Sequence, residues 1–239
     1  MSLSVLLSNF INKERNRFSN KRNNSVAFSF GHIARYHDFL QIILRRYTEV
    51  SKFFVENTKH FHEYAKGKNG PVDQQMQSTL EQGRELGDEL HLQIESFYIF
   101  SKIMLDKTTQ AFEHYFGGER DLSLVSHHKL SKDFVEYASK KGLSKPPKEL
   151  IDSINNLQKR VVDFRDDIIT HMNNPRSMKG TMFQYDTGEA WISEHKIYPK
   201  EGETQNDGMA PSRLMKILDE YIEKMVSYIL HNKEKAKLS

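Results

Sequence analysis

Cysteine is absent from the 239 residues. That excludes disulfides, thiolate nucleophiles and cysteine-held zinc, and it fits a reducing, cytoplasmic setting. Proline and glycine are scarce, at 6 and 12 residues, and long stretches lack both, which favours helices. No apolar run approaches the roughly 20 residues of a membrane-spanning helix, and the mean hydropathy is −0.68, so no membrane role is expected. The apolar run Ser2 to Phe10 is short, and its basic residues follow it, the wrong order for a secretory signal. Glycine-rich phosphate loops and the G-x-S-x-G elbow are missing. No E-x-x-H occurs, which argues against a ferritin-like di-iron site. No cofactor is expected.

Charge of one sign is also in short supply. The formal net charge of +3 does not announce a nucleic-acid binder. Its distribution says more: Lys13, Arg15, Arg17, Lys21 and Arg22 gather in an Asn-rich segment. Residues 1–25 read as a basic, solvated arm with one short helix, able to touch phosphate in the sharper reading. Residues 26–239 read as a single helical domain with an insertion at about 176–211.

Apolar residues then recur in helical steps. Ile33, Tyr36, Leu40, Ile43, Tyr47, Val50, Phe54, Phe61 and Tyr64 mark a helix from about Ser29 to Tyr64. Leu90, Ile94, Phe97, Ser101, Met104, Thr108, Ala111 and Tyr115 mark another from about Leu80 to Phe116, stopped by Gly117-Gly118. With a loop over Lys66 to Ser78 between them, the two should fold back as an antiparallel pair. Asp121 to Lys141 reads as a shorter helix. Pro147 to Asn173 reads as the next, with Leu150, Ile154, Leu157, Val161, Phe164, Ile168 and Met172 on its seam. Thr181 to Tyr185 and Ala190 to Ser193 read as a small β-hairpin, with Ile197-Tyr198 as a third strand and Lys200 to Pro211 as a mobile stretch. Ser212 to about Asn232 reads as the last helix, followed by a lysine-rich solvated tail. The expected fold is all-α: an up-down bundle of two long antiparallel helices and three shorter ones, with a β-hairpin insertion.

Phe164-Arg165-Asp166-Asp167-Ile168-Ile169-Thr170-His171 carries the chemistry. On a straight helix, at about 100° per residue, Arg165 lies near +60° and His171 near −60° of the seam, about 9 Å apart along the axis. Arginine pairs bidentately with phosphate oxygens, and histidine moves protons near neutral pH. RNA brings its own nucleophile, the 2′-hydroxyl, so such a pair needs no metal. His171 lies near the expected helix C-terminus, and Asp167 lies four residues before it; both favour the protonated ring. Spacing alone is weakly specific, since Arg84 to His91 and Arg120 to His127 each have six intervening residues. The bland alternative is an arginine paired with a neighbouring acid and a histidine at a helix end.

This segment resembles the R-polar-x(n)-H motif of HEPN domains, helical bundles built on a long up-down helix pair. Arg165 and His171 have five intervening residues, and Asp166 takes the polar position. The resemblance implies a homodimeric, metal-independent endoribonuclease for single-stranded RNA. Arg165 would then stabilise the phosphate, His171 would transfer a proton, and Asp166 or Asp167 would orient them. Glu95 is a counterpart of an acidic residue on the family's second long helix. A toxin or phage-defence setting, with an antitoxin or regulatory protein as partner, is also implied. Some members only bind RNA or protein, so a non-catalytic module of the same fold is the alternative.

Other groups read as less promising. His60 and His62 point roughly 200° apart on a helix, so they do not share an ion with Glu56 and Glu63. His127-His128 reads as surface. The aromatics from Phe97 to Phe116 read as packing. Trp191 is the aromatic least readily assigned to a core, a candidate to anchor a partner or stack a base.

Overall fold

In a computed structural model, residues 3–17, 25–66, 73–170, 177–196 and 206–237 are described. The chain is an all-α bundle carrying a β-hairpin. Its helices are α1 (Leu3–Arg17), α2 (Ser25–Ala65), α3 (Gln74–Phe116), α4 (His127–Lys140), α5 (Lys148–Leu157) and α6 (Pro211–His231). Its strands are β1 (Ser177–Gln184), β2 (Glu189–Lys196) and β3 (Asn206–Asp207). The sequence reads as one domain, but the chain packs as two compact units. The first holds Met1–Leu40, Ile99–Arg165 and Met215–Ser239; the second holds Gln41–Tyr98 and Asp166–Leu214.

The first unit is an aromatic core wrapped by helices. Phe112 lies at its centre, with ring centroids of Phe116, Phe134, Tyr137 and Tyr228 at 5.0, 5.5, 5.8 and 6.2 Å. Residues 3–17 differ from the solvated arm that the sequence suggests. Leu3, Leu7, Phe10 and Glu14 fall three and four apart on α1 and are all buried. Phe10 meets Phe30 edge-on at 4.7 Å, and the Glu14 carboxylate accepts a 2.7 Å bond from the Tyr115 hydroxyl. The acid at the fourth position hides this stripe from a hydropathy count. Lys13 and Arg15 stay exposed; Lys21 and Arg22 lie outside the described residues.

Helix α4 begins six residues after the expected start. Ser126 is its N-cap, accepting from Lys129 N, and Asp106 Oδ1 accepts from His127 N at 3.0 Å. These acceptors satisfy first-turn amides that have no intrahelical partner. The C-terminal lysines are not a free tail. Lys233–Lys235 form a 3₁₀ turn, and Lys237 N donates to Tyr115 O at 3.1 Å.

In the second unit the two long helices run antiparallel, shown by Arg46 meeting Glu89, Asn57 meeting Thr79 O and Tyr64 meeting Asp73. The sheet has the order β1-β2-β3, and all pairings are antiparallel. It is fastened to α2 through Tyr47, whose hydroxyl donates to Ala190 O at 2.9 Å and accepts from Ala190 N at 3.0 Å. Ser51 Oγ donates to Gly188 O, and Phe54 packs edge-on against Phe183. Gly188 closes the turn at φ 68°, a conformation natural to glycine.

Both hairpin strands are longer than expected, although β1 ends at Gln184, one residue before Tyr185. On β1, Lys179 and Thr181 share one face and bond Glu95 and His91 of α3. A strand covered through polar pairs shows no apolar alternation, so its first half escapes a hydropathy reading. The third strand is Asn206–Asp207; Ile197 and Tyr198 lie outside the described residues.

Gly180 sits under the His195 ring, which a Cβ there would overlap. Gly180→Ala is expected to destabilise by about 1–3 kcal/mol, the usual range for overpacking. Urea unfolding checks it, and adding His195→Ala should recover part of the loss.

Candidate functional site

The helical run that leads to the motif begins with α5, where Pro147 precedes the first helical residue. Leu150, Ile154, Leu157, Val161, Phe164 and Ile168 are all buried, as the seam requires; Met172 lies outside the described residues. The winding is not that of a straight α-helix. Gln158–Asp163 and Arg165–Thr170 are π-helical, so each amide reaches one residue further back. Phe164 N, for instance, donates to Lys159 O. The same spacing brings Gln158 Nε2 to Asp163 Oδ1, five residues on, at 2.7 Å. Wider turns place Val161 with Val162, and Ile168 with Ile169, on buried positions together. The angles expected at 100° per residue therefore do not apply to this segment.

Arg165 is half-buried and belongs to the first unit. Asp166 is half-buried, Asp167 is exposed, and both belong to the second unit. His171 lies outside the described residues. Glu95 Oε1 accepts from Lys179 Nζ at 2.9 Å, and the same ammonium donates to Ile169 O at 3.0 Å. Lys179 thus ties Glu95 to the motif backbone two residues before His171. His91 joins this group through the Thr181 hydroxyl, and partial burial lowers its pKa. Sequence reasoning misses Lys179 and His91. An isolated lysine on a strand carries no motif, and His91 enters only as a chance spacing to Arg84.

A second polar group lies in the first unit. The sequence suggests a surface position for His127, which is instead fully buried. Its Nδ1 donates to Gln158 Oε1 at 3.3 Å, because an amide oxygen only accepts. The Gln158 amide nitrogen donates to Asp163 Oδ1 and to His128 Nδ1 at 3.2 Å. His127 Nε2 and the Tyr221 hydroxyl are buried without hydrogen-bond partners among the described residues, and their rings meet edge-on at 5.7 Å. Helix α4 begins at His127, directly after the Ser126 cap.

Burial drives the pKa of His127 down to about 4 from an ordinary 6.5, so the ring is neutral at pH 7. The folded value lies below the unfolded one. Between the two, the unfolded chain binds a proton that the native chain does not. The stabilisation is complete above pH 6.5 and is lost as pH falls toward 4, by about 1.4 kcal/mol per pH unit at most. Chemical unfolding from pH 7 to pH 4 should show that slope, and His127→Gln should flatten it by about one proton.

Among the described residues no three His, Asp or Glu side chains are placed to hold a metal ion, and no helix is long and apolar enough to cross a membrane. His62 Nδ1 instead bonds the Tyr185 hydroxyl at 2.8 Å. Comparison with protein-family models, curated proteins and solved structures finds no match.

Proposed function

We propose that this chain is a HEPN-like endoribonuclease that cleaves single-stranded RNA without a metal and acts as a homodimer. The observation that carries the reading is the winding of Arg165–Thr170. π-turns are rare, weaken regular helix hydrogen bonding and concentrate at functional sites. Here the second of two π segments, Arg165–Thr170, falls in the stretch singled out by its chemistry, and the first, Gln158–Asp163, leads into it. Arg165 is half-buried and its Nε is buried, so its guanidinium is partly desolvated. Lys179, bonded to Ile169 O and Glu95, restrains the backbone leading into His171.

The reaction is an in-line attack of the 2′-oxygen on phosphorus, the 2′-hydroxyl giving up its proton to solvent water as the O2′–P bond forms. The P–O5′ bond breaks, a 2′,3′-cyclic phosphate forms, and a proton goes to the departing 5′-oxygen. Arg165 neutralises charge gathering on the non-bridging oxygens. His171 supplies the proton, with Asp166 or Asp167 orienting the pair. The resemblance further suggests a toxin or phage-defence role, a cytoplasmic location and an antitoxin or other regulatory partner.

Arg165→Ala tests the assignment. It should lower single-turnover cleavage of a labelled RNA by about 10²- to 10³-fold, as for loss of one charge-stabilising donor. Unchanged cleavage by a folded Arg165→Ala protein would remove Arg165 from the site. No cleavage by wild type, with RNA binding retained, would identify the non-catalytic module.

A further inference from the structure

We propose that lysines gathered at the C-terminal ends of α3, α4 and α6 form a docking surface for the phosphate backbone of single-stranded RNA, separate from Arg165. The sequence carries two well-separated lysine runs, Lys140, Lys141, Lys145 and Lys148, and Lys233, Lys235 and Lys237. The fold of the first unit joins them. Asn232 Oδ1 accepts from Ser144 N at 2.7 Å, Asn232 Nδ2 donates to Ser144 Oγ at 3.0 Å, and the Tyr228 hydroxyl donates to Ser144 O at 2.6 Å. These bonds seat the loop carrying Lys145 on the residue just before Lys233. The Lys237 side chain packs at Gly117, while Lys141 Nζ donates to Gly118 O at 2.7 Å.

Charge settles the kind of partner. Residues 140–148 and 233–237 hold seven lysines and one acid, Glu234. That is a surplus of six in a chain whose total is +3, so the rest of the chain is net negative. Acids border this patch: Glu119 pairs with Lys141 at 3.0 Å and Glu136 with Lys140 at 3.1 Å, while Glu149, Glu220 and Glu223 line a cavity beside Lys145 that also holds Lys224. The Glu119 carboxyl titrates below the usual range, first through its bond to Lys141 and then through the nearby charges of Lys140 and Lys237. Lys145, Lys148, Lys235 and Lys237 remain exposed. No large exposed apolar side chain lies in these two stretches. A basic surface without an apolar anchor suits a polyelectrolyte, which binds by counterion release, better than a bilayer. The choice of RNA rests on the reading of the preceding section.

The test is the salt dependence of binding. Anisotropy of a labelled single-stranded RNA is titrated with full-length protein at several salt concentrations, all in the His171→Ala background so that the probe stays intact. Each lysine–phosphate pair on a single strand contributes roughly 0.7 to the log–log slope. Lys145→Gln/Lys148→Gln/Lys235→Gln should therefore reduce that slope by about 2 and weaken low-salt binding at least tenfold. A charge-matched control, Lys52→Gln/Lys59→Gln/Lys66→Gln, should leave both unchanged. Equal losses in the two sets, or none in the first, would overturn the proposal. So would binding to phosphatidylserine vesicles with no binding to RNA. If wild type cleaves no RNA but the lysine set still controls binding, the nuclease reading fails and the surface stands. If wild type cleaves and the lysine set binds normally, the reverse holds.

Discussion

His171→Ala is expected to lower the rate of RNA cleavage by about 10²- to 10⁴-fold, the range for losing a positioned general acid or base. The leaving 5′-alkoxide is a strong base, so bond breaking waits on its proton. Imidazole is the side chain best matched to that task near neutral pH. A leaving group that needs no proton separates chemistry from structure. An RNA with a 5′-bridging sulfur departs as a thiolate, and His171→Ala should cleave it nearly as fast as wild type does. Equal loss on both substrates would mean that His171 positions the RNA or supports the fold.

The second large effect is structural. Phe112→Ala should reduce unfolding free energy by about 3–5 kcal/mol, the usual cost of emptying a large aromatic site. Phe112 is fully buried, and four aromatic rings stand within 6.2 Å of its centroid. They come from α3, α4 and α6, so collapse of the cavity would require three helices to shift. Urea unfolding measures the loss, and Phe112→Leu should recover more than half of it. A cost below about 1 kcal/mol would show that the cluster repacks freely.

The helices are legible because burial repeats along them. Leu90, Ile94, Phe97, Ser101, Met104, Thr108, Ala111 and Tyr115 are all buried, including the two polar members that only spacing could place. Thr108 shows how: its hydroxyl donates to Met104 O, satisfying itself within the helix. Legibility fails where polar groups take interior positions. Glu14 on α1, His127 on α4 and Lys179 on β1 each face protein, and each bonds a partner distant in sequence. No local pattern announces such a partner. The split into two units is hidden because α2 and α3 contribute residues to both.

The candidate site is legible as composition and less so as geometry. Arg165, Asp166 and Asp167 stand out by residue type, but π winding is a choice of hydrogen-bond register, and no composition rule signals it. Glu95 stands out by its place on the long helix. The cation it meets, Lys179, lies 84 residues away on a strand, where no helix-based spacing could find it.

If this chain cleaves RNA without a metal, the product ends record the chemistry. Purified wild-type protein is incubated with a labelled single-stranded RNA in excess EDTA, and the fragments are resolved before and after treatment with acid and phosphatase. Metal-independent attack by the 2′-hydroxyl should leave fragments ending in a 2′,3′-cyclic phosphate, with a 5′-hydroxyl on the other side of the cut. Intact RNA, or fragments ending in 3′-hydroxyl and 5′-phosphate, would contradict it.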